Sequence, residues 1–334
     1  MVVIHTTSKR KWITRKAKRL LSVKGDFLMI KTSRKGEWLE IIIPEEWDGT
    51  SVQDLFRTIW NAPKKLTHSL RMEKGVRING QGADWTVSLN QNDRLDIRLF
   101  SEQDFGIQPS YHDIAILYED DHLLVVNKPS NMDTHPNSPE ETNTLANATA
   151  YHLLSQGEYR QVKHVHRLDR DTTGAVLFAK HSFIGSILDH MLEKREIKRT
   201  YLALVEGILK VKKGSITEPI GRDRHHATRR RVSPSGQKAV TYFEVLKTDH
   251  KQNLTLVKCF LETGRTHQIR VHFSHIGHPL AGDLLYGGKP TFSRQALHAV
   301  KLELTHPFTE EKIICHAPFL DKQNIFTGID PYSI

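Results

Sequence analysis

The 334-residue sequence contains two cysteines, Cys259 and Cys315, which are too few for a disulfide framework. Its apolar runs, such as residues 123–126, are far shorter than the roughly 18 residues that a membrane helix needs. No continuous apolar segment follows the basic N-terminus, so no secretory signal is predicted. These absences argue against membrane and disulfide-rich secreted classes, and they predict a cytoplasmic protein without a membrane partner.

Motifs for common cofactors are also missing. The sequence has no Gly-rich dinucleotide fingerprint, no phosphate-binding loop ending in Gly-Lys-Ser/Thr, and no HExxH. We therefore expect no nucleotide cofactor and no metal. Four closely spaced histidines, His267, His272, His275 and His278, keep a zinc-dependent nuclease or hydrolase open as an alternative.

Positive charge is concentrated at the N-terminus. The chain carries a formal charge of +10, and residues 1–35 hold eleven Lys/Arg against one Asp. The other residues hold 37 basic and 37 acidic side chains, so they balance. Such an arm is either a solvated tail or a nucleic-acid contact, and charge alone favours neither.

Periodicity divides the rest of the chain into two domains. Residues 38–100 form a compact unit, residues 101–111 a polar linker, and residues 112–334 a larger domain, after an arm spanning 1–37. The unit at 38–100 contains strands over 39–44, 76–81 and 94–99 and a helix over 50–60, with an Asn79-Gly80 hairpin turn.

The larger domain alternates short strands and helices without a regular βαβ rhythm, which predicts an α+β fold. Strands are expected over 114–118, 123–128, 175–179 and 200–206, and Ser182 is placed to cap a helix over 183–192. The strand over 200–206 places Tyr201, Ala203 and Val205 on one face.

Three segments carry candidate chemistry. Asp169 lies in a polar turn directly before a buried strand, as a catalytic carboxylate or as a turn-forming Asp. Arg265 and Arg270 lie near the end of an apolar strand, and a buried Arg there keeps a carboxylate ionised or forms a structural salt bridge. Residues 222–231 hold five Arg and one Asp, which favours phosphate contact over a merely solvated loop.

Together these segments resemble the RluA-type pseudouridine synthases, which isomerise uridine to pseudouridine in RNA. Five stretches carry the resemblance in order: ILYEDDHLLVVNKPSNMDTHP (116–136), VHRLDRDTTGAVLFAK (165–180), KRTYLALVEG (198–207), LETGRTHQIRVHFSHIGHPLAGDLLYG (261–287) and LHAVKLELTHP (297–307). Thr173 stands where the family more often has Ser. Residues 48–100 resemble a degenerate S4 RNA-binding module through VRINGQ (76–81) and NDRLDIRL (92–99).

The resemblance implies a catalytic domain with a central mixed, mainly antiparallel sheet. It also implies that Asp169 is the catalytic nucleophile, that Arg265 pairs with it, and that Tyr201 stacks on the base and moves a proton. Leu297 would line the substrate pocket. RNA contacts are assigned to the following residues: His166, Arg167, Arg222, Arg229, Arg230 and Arg231. No cofactor is required for an isomerisation.

The expected function is therefore site-specific pseudouridine formation in structured RNA by a monomeric enzyme. The S4-like module and the basic arm favour large-subunit ribosomal RNA. A transfer RNA pseudouridine synthase of the same family and a non-catalytic RNA-binding protein remain alternatives.

Overall fold

The computed structural model describes residues 30–334, so most of the basic arm predicted over 1–37 lies outside the described residues. The last residues of that predicted arm are not extended tail but part of the N-terminal sheet. Strand β1 (Thr32–Lys35) pairs antiparallel with β2 (Trp38–Ile42), and Lys35 forms an ion pair with Glu40 at 2.6 Å. The N-terminal sheet thus begins before residue 38, because a glycine at positive φ, Gly36, turns the basic segment back onto β2.

The N-terminal domain is a five-stranded antiparallel sheet in the order β1-β2-β5-β3-β4. Its other strands are β3 (Val76–Ile78), β4 (Gln81–Gly82) and β5 (Arg94–Arg98). Asn79 and Gly80 both have positive φ, 50° and 83°, which confirms the predicted hairpin turn. The predicted helix over 50–60 is instead a short α1 (Val52–Asp54) that continues as a π-helix (Leu55–Ile59), followed by α2 (Lys64–Met72).

The larger domain is built on a ten-stranded sheet that contains a continuous path in the order β11-β14-β15-β10-β16-β9-β7-β6. Its strands are β6 (Ala115–Glu119), β7 (Leu123–Lys128), β8 (Lys163–His164), β9 (Thr173–Ala179), β10 (Lys198–Glu206), β11 (Lys213–Ile216), β14 (Thr241–Asp249), β15 (Leu254–Leu261), β16 (Leu297–Thr305) and β17 (Lys312–His316). Only β9 and β16 pair in parallel. The sheet is therefore mixed and mainly antiparallel, and the predicted α+β class is confirmed.

Three helices and a separate hairpin complete this domain. The helices are α3 (Leu145–Ser155), α4 (Ser182–Glu193) and α5 (Gln268–His275), and the hairpin pairs β12 (Ile220–Arg222) with β13 (Arg230–Val232). Helix α4 is capped by His181, whose Nδ1 accepts a hydrogen bond from the Ile184 backbone N–H at 3.2 Å. The predicted cap at Ser182 is wrong, since Ser182 is already helical. None of the helices over residues 30–334 is both long and apolar enough to cross a bilayer.

Strand β10 separates two parts of the core. Tyr201, Ala203 and Val205 pack into the cluster that also contains Leu168 and Leu297, as the predicted alternation requires. Leu202 packs on the opposite side of the sheet, in a cluster with the C-terminal Phe326. The candidate site described below lies on the Tyr201 face.

The two domains share one core rather than meeting through a loose interface. Trp60 of the N-terminal domain lies 5.7 Å from Phe183 and 5.5 Å from Phe308, measured between ring centroids, and Phe56 lies 5.3 Å from Phe183. Arg34 on β1 adds ion pairs to the larger domain through Asp121 and Glu158. Consequently, the N-terminal domain is held in a fixed position relative to the Tyr201 face.

This packing predicts that Trp60→Ala destabilises the whole protein by about 3–5 kcal/mol, since a large aromatic side chain is lost from a filled core. Chemical denaturation followed by fluorescence and circular dichroism measures the loss. The neighbouring Ile59→Ala is the control, because that side chain is 42% exposed and its truncation is expected to cost less than about 0.5 kcal/mol. Two separate transitions, with only the first moved by Trp60→Ala, would show that the domains do not share a core.

Candidate active site

Asp169 lies in the turn that leads into β9. Its backbone carbonyl accepts a hydrogen bond from the Thr172 N–H at 3.0 Å, which closes the turn. At the start of the strand Gly174 has φ 114°, and a Cβ there would lie 2.3 Å from the Ala299 carbonyl oxygen. Glycine is required at this position because β9 and β16 approach closely in their parallel pairing. The turn is therefore fixed against β16, with the Asp169 side chain 18% exposed.

Two buried basic side chains, Lys128 and Arg294, hold this turn from behind. The Lys128 ammonium donates to the carbonyls of Pro129, Met132 and Arg170 at 2.9, 2.6 and 2.8 Å. Burial lowers the pKa of Lys128 to about 7, against the opposing effect of nearby carboxylates including Asp169. Arg294 forms a bidentate pair with Asp321 and donates to the Asp171 carbonyl. The backbone of the turn is thus anchored at the two residues that follow Asp169, Arg170 and Asp171.

Arg270 is the cation that contacts Asp169. Its Nη1 lies 3.0 Å from Asp169 Oδ2, and its Nε and Nη2 donate to Asp283 at 2.7 and 2.9 Å. Burial acts to lower the pKa of Arg270, but the hydrogen bonds and charges of Asp283 and Asp169 outweigh it and raise that pKa. The guanidinium therefore stays charged, and Asp283 fixes its orientation towards Asp169.

The predicted pairing of Arg265 with Asp169 is wrong. The Arg265 Nε donates to the Lys238 carbonyl at 3.1 Å, while its backbone N–H donates to the Gln268 side chain. The chain bends at His267, which has a left-handed φ of 58°, and α5 begins at the next residue. This bend places Arg270 on the helix beside Asp169 and leaves Arg265 in the preceding loop, where it lines the same pocket.

The pocket next to Asp169 brings together the predicted catalytic residues, Arg167 and the predicted pocket residue Leu297. Its walls include Arg167, Tyr201, Arg265 and Leu297, with Arg270 beside the carboxylate. Tyr201 is 4% exposed. Burial raises the pKa of Tyr201, and Arg199 partly offsets this effect, so the phenol keeps its proton at neutral pH. The pocket therefore offers a carboxylate, a protonated phenol and an apolar edge to one ligand.

Asp283 and Tyr286 were not predicted as site residues, and His267 was considered only for the alternative zinc site. His267 Nε2 lies 3.9 Å from Asp169 Oδ1, and its Nδ1 is 2.8 Å from the Tyr286 hydroxyl. That hydroxyl accepts from the Arg230 backbone N–H, which leaves its own proton for His267 Nδ1. Burial lowers the pKa of His267, so a neutral ring can direct its Nε2–H towards Asp169. All three residues lie in the stretch 261–287 that carries the family resemblance, but only the fold shows their distances from Asp169.

The remaining predicted residues lie outside this pocket. His166 is buried, and its Nε2 accepts a hydrogen bond from the Leu177 backbone N–H at 3.2 Å. Burial holds the pKa of His166 well below its usual value, so it is a neutral structural residue and its assignment to RNA contact is wrong. Arg222, Arg229, Arg230 and Arg231 lie on the β12–β13 hairpin beside the pocket, and only Arg230 is partly buried.

The histidines near α5 are engaged in separate contacts. His272 bonds with the Thr241 hydroxyl and the Glu218 carbonyl, and His278 with the Glu206 carbonyl. Over residues 30–334, no three His, Cys, Asp or Glu side chains are grouped as metal ligands.

Comparisons with known proteins point to one family. The family model for RNA pseudouridylate synthase matches residues 122–275, which include Asp169, Tyr201 and Arg270. The model for the RluD ribosomal pseudouridine synthase N-terminal domain matches residues 39–95. Both domains of the fold therefore have a counterpart in pseudouridine synthases.

Whole-chain similarity extends further. The chain is 47% identical over 295 residues to the RNA pseudouridine synthase YhcT of Bacillus subtilis, covering 88% of this chain and 98% of that protein. It is 38% identical over 241 residues to the ribosomal large subunit pseudouridine synthase D of Haemophilus ducreyi, covering 68% and 73%. The solved structure of human RNA pseudouridylate synthase domain containing 1 superposes with a TM-score of 0.52 at 26% identity, covering 64% and 86%. The chain belongs to the RNA pseudouridine synthase family and carries an RluD-type N-terminal domain.

Proposed function

We propose that this enzyme converts specific uridines of large-subunit ribosomal RNA to pseudouridine, with Asp169 as the nucleophile. The contact of Asp169 with the doubly anchored Arg270 is the observation that carries the proposal, because it presents an oriented carboxylate at the mouth of a partly dry pocket. Relatives at about 40% identity that are named for the large ribosomal subunit support the choice of RNA.

The reaction is an isomerisation, so atoms are redistributed within one nucleotide. The bond from ribose C1′ to uracil N1 breaks, a bond from C1′ to C5 forms, C5 loses a proton and N1 gains one. A target inside a helix must first leave its stack to reach the pocket. Asp169 then attacks the nucleotide as a carboxylate, and Arg270 stabilises the carboxylate charge before the attack and again when the covalent bond to Asp169 breaks.

Tyr201 and Leu297 would hold the uracil while it rotates. Both line the pocket on the Asp169 side, one from β10 and one from β16. An aromatic face binds a base by stacking, and an apolar edge excludes water from the detached ring. The protonated Tyr201 phenol is a hydrogen-bond donor for the uracil, whereas C5 gives up its proton to a base.

RNA binding is assigned to basic groups around the pocket mouth. Arg167 lies in the pocket wall and would contact the phosphate of the flipped nucleotide. Arg229 and Arg231 are exposed on the β12–β13 hairpin, where they would contact the phosphate backbone beyond the pocket.

The RNA class is tested with transcripts that carry tritium at C5 of uridine, because pseudouridine formation releases that hydrogen to water. We expect the purified full chain to release tritium from large-subunit ribosomal RNA, supplied naked or as assembled particles, and not from pooled transfer RNA transcripts. Release from transfer RNA alone would overturn the ribosomal assignment. Release from neither RNA would contradict the proposal as a whole.

A further inference from the structure

His267 has a backbone conformation that residues other than glycine rarely adopt. Its φ is 58° and its ψ is 21°, at the position directly before α5. Its side chain does not cap that helix, because it accepts no hydrogen bond from the first turn. Backbone strain of this kind is concentrated at active sites, where the surrounding structure maintains it. His267 also lines the Asp169 pocket, with its side chain 15% exposed, so its ring can act on a ligand there.

Tyr286 orients the His267 ring. The two rings meet at 85°, with their centroids 5.6 Å apart. The Tyr286 oxygen accepts from the Arg230 backbone N–H at 2.9 Å, and its own proton is donated to His267 Nδ1 at 2.8 Å. Because Nδ1 is the acceptor, a neutral ring carries its proton on Nε2. Tyr286 therefore selects the tautomer of His267 as well as the direction of its ring.

The Nε2 atom of His267 faces the nucleophile. It lies 3.9 Å from Asp169 Oδ1, which is too far for a hydrogen bond, and it bonds to no other atom of residues 30–334. Arg270 holds the other carboxylate oxygen, Oδ2, at 3.0 Å. The pocket thus contains an oriented N–H donor without an acceptor, next to the carboxylate oxygen that is free to attack.

The proposed reaction transfers negative charge from Asp169 to the uracil. If the carboxylate attacks ribose C1′, the electron pair of the C1′–N1 bond remains on the uracil. If it attacks the ring at C6, the displaced electron pair forms an enolate. In both cases the charge is shared with a uracil carbonyl oxygen. An oriented neutral donor beside the attacking oxygen stabilises that charge without giving up its proton.

We propose that His267 is a further catalytic residue, whose Nε2–H donates to a carbonyl oxygen of the uracil while the base carries negative charge. Tyr286 is then a positioning residue, because it reaches the reaction through His267. The proposal rests on the proposed function and deepens it by adding a group to the same site. It requires a neutral imidazole, since an imidazolium would pair with Asp169 Oδ1 and hold the attacking oxygen.

The surroundings of His267 keep its ring neutral. Burial lowers the pKa of His267, and the neighbouring charges do not reverse this effect. The charged groups that face the ring are two acids that favour its protonation and two bases that oppose it: Asp169, Asp283, Arg270 and Arg230. The Tyr286 hydroxyl also favours the neutral form, because it can donate only to an unprotonated Nδ1. The reaction rate is therefore expected to fall as the pH drops through the lowered pKa of His267.

His267→Asn tests the donor directly, because asparagine tolerates a left-handed φ and its shorter amide does not reach the position of Nε2. We expect single-turnover tritium release at saturating RNA to fall about 10²-fold, while the Kd for the same RNA changes less than about threefold. The matched control is His275→Asn, which removes an exposed histidine of α5 that does not line the pocket. Its rate should stay within about twofold of the parent value.

The pH profile of Tyr286→Phe is a second test, which a merely structural role would not reproduce and which applies even if His267→Asn does not fold. Removing the hydroxyl removes the hydrogen bond to the neutral ring, so the pKa of His267 rises. We expect the acid limb of the rate profile to move to higher pH by about half a unit or more. Identical acid limbs in the parent and Tyr286→Phe, or a parental rate for His267→Asn, would overturn this proposal alone. A parent chain that releases no tritium would contradict the proposed function and this proposal together.

Discussion

Asp169→Asn is expected to abolish pseudouridine formation, lowering the single-turnover rate by at least about 10⁴-fold. An amide has nearly the same shape as the carboxylate but cannot form the covalent bond to the nucleotide that the mechanism requires. Tritium release from the RNA that the parent modifies measures the loss.

The structure also predicts what Asp169→Asn leaves intact. Asp169 is near the surface of the turn, and the turn is held by Lys128 and Arg294 through backbone carbonyls that the substitution does not alter. RNA affinity should therefore change by less than about threefold, because phosphate contacts supply most of it. The matched control is Asp171→Asn in the same turn, which is expected to keep most of the activity. Normal turnover by Asp169→Asn would remove Asp169 from the chemistry.

Arg270→Met is expected to have the second largest effect, and to affect both stability and rate. The substitution leaves Asp283 buried without its cation, a loss worth about 3–5 kcal/mol of unfolding free energy. It also removes the charge that faces Asp169, for which we expect a rate decrease of about 10²–10³-fold in the folded fraction. Denaturant titration and single-turnover kinetics measure the two effects separately.

Arg265→Met provides the comparison, since both arginines lie in the same short segment and line the same pocket. Arg265 is in no salt bridge within residues 30–334, so its loss should cost less than about 1 kcal/mol of stability. Its effect is expected mainly on RNA affinity. If Arg265→Met slowed a saturated reaction more than Arg270→Met did, the assignment of the ion pair would be contradicted.

Local sequence patterns predicted the features that depend on local geometry. The Asn79-Gly80 turn formed because both residues tolerate positive φ, and Tyr201 faces the pocket because strand alternation requires it. Local sequence patterns do not reveal which arginine pairs with Asp169. That pairing depends on the left-handed bend at His267, which decides that Arg270 and not Arg265 lies beside the carboxylate.

Other differences also have tertiary causes. Ser182 has a typical capping side chain, yet His181 caps α4 because the helix begins at Ser182, one residue earlier than a Ser182 cap requires. His166 belongs to a motif rich in polar residues, but its ring is directed into the core to accept a bond from β9. The π-helix over Leu55–Ile59 lies where Phe56 and the following Trp60 pack against the other domain, a contact that the sequence of one segment does not reveal.

Carbodiimide mapping of pseudouridines in total RNA tests the central claim most directly. Cells that lack this protein are compared with cells restored by the parent chain or by Asp169→Asn at equal protein level. We predict that at least one site in large-subunit ribosomal RNA disappears on deletion and returns only with the parent chain. Full restoration by Asp169→Asn, or an unchanged map after deletion, would contradict the account.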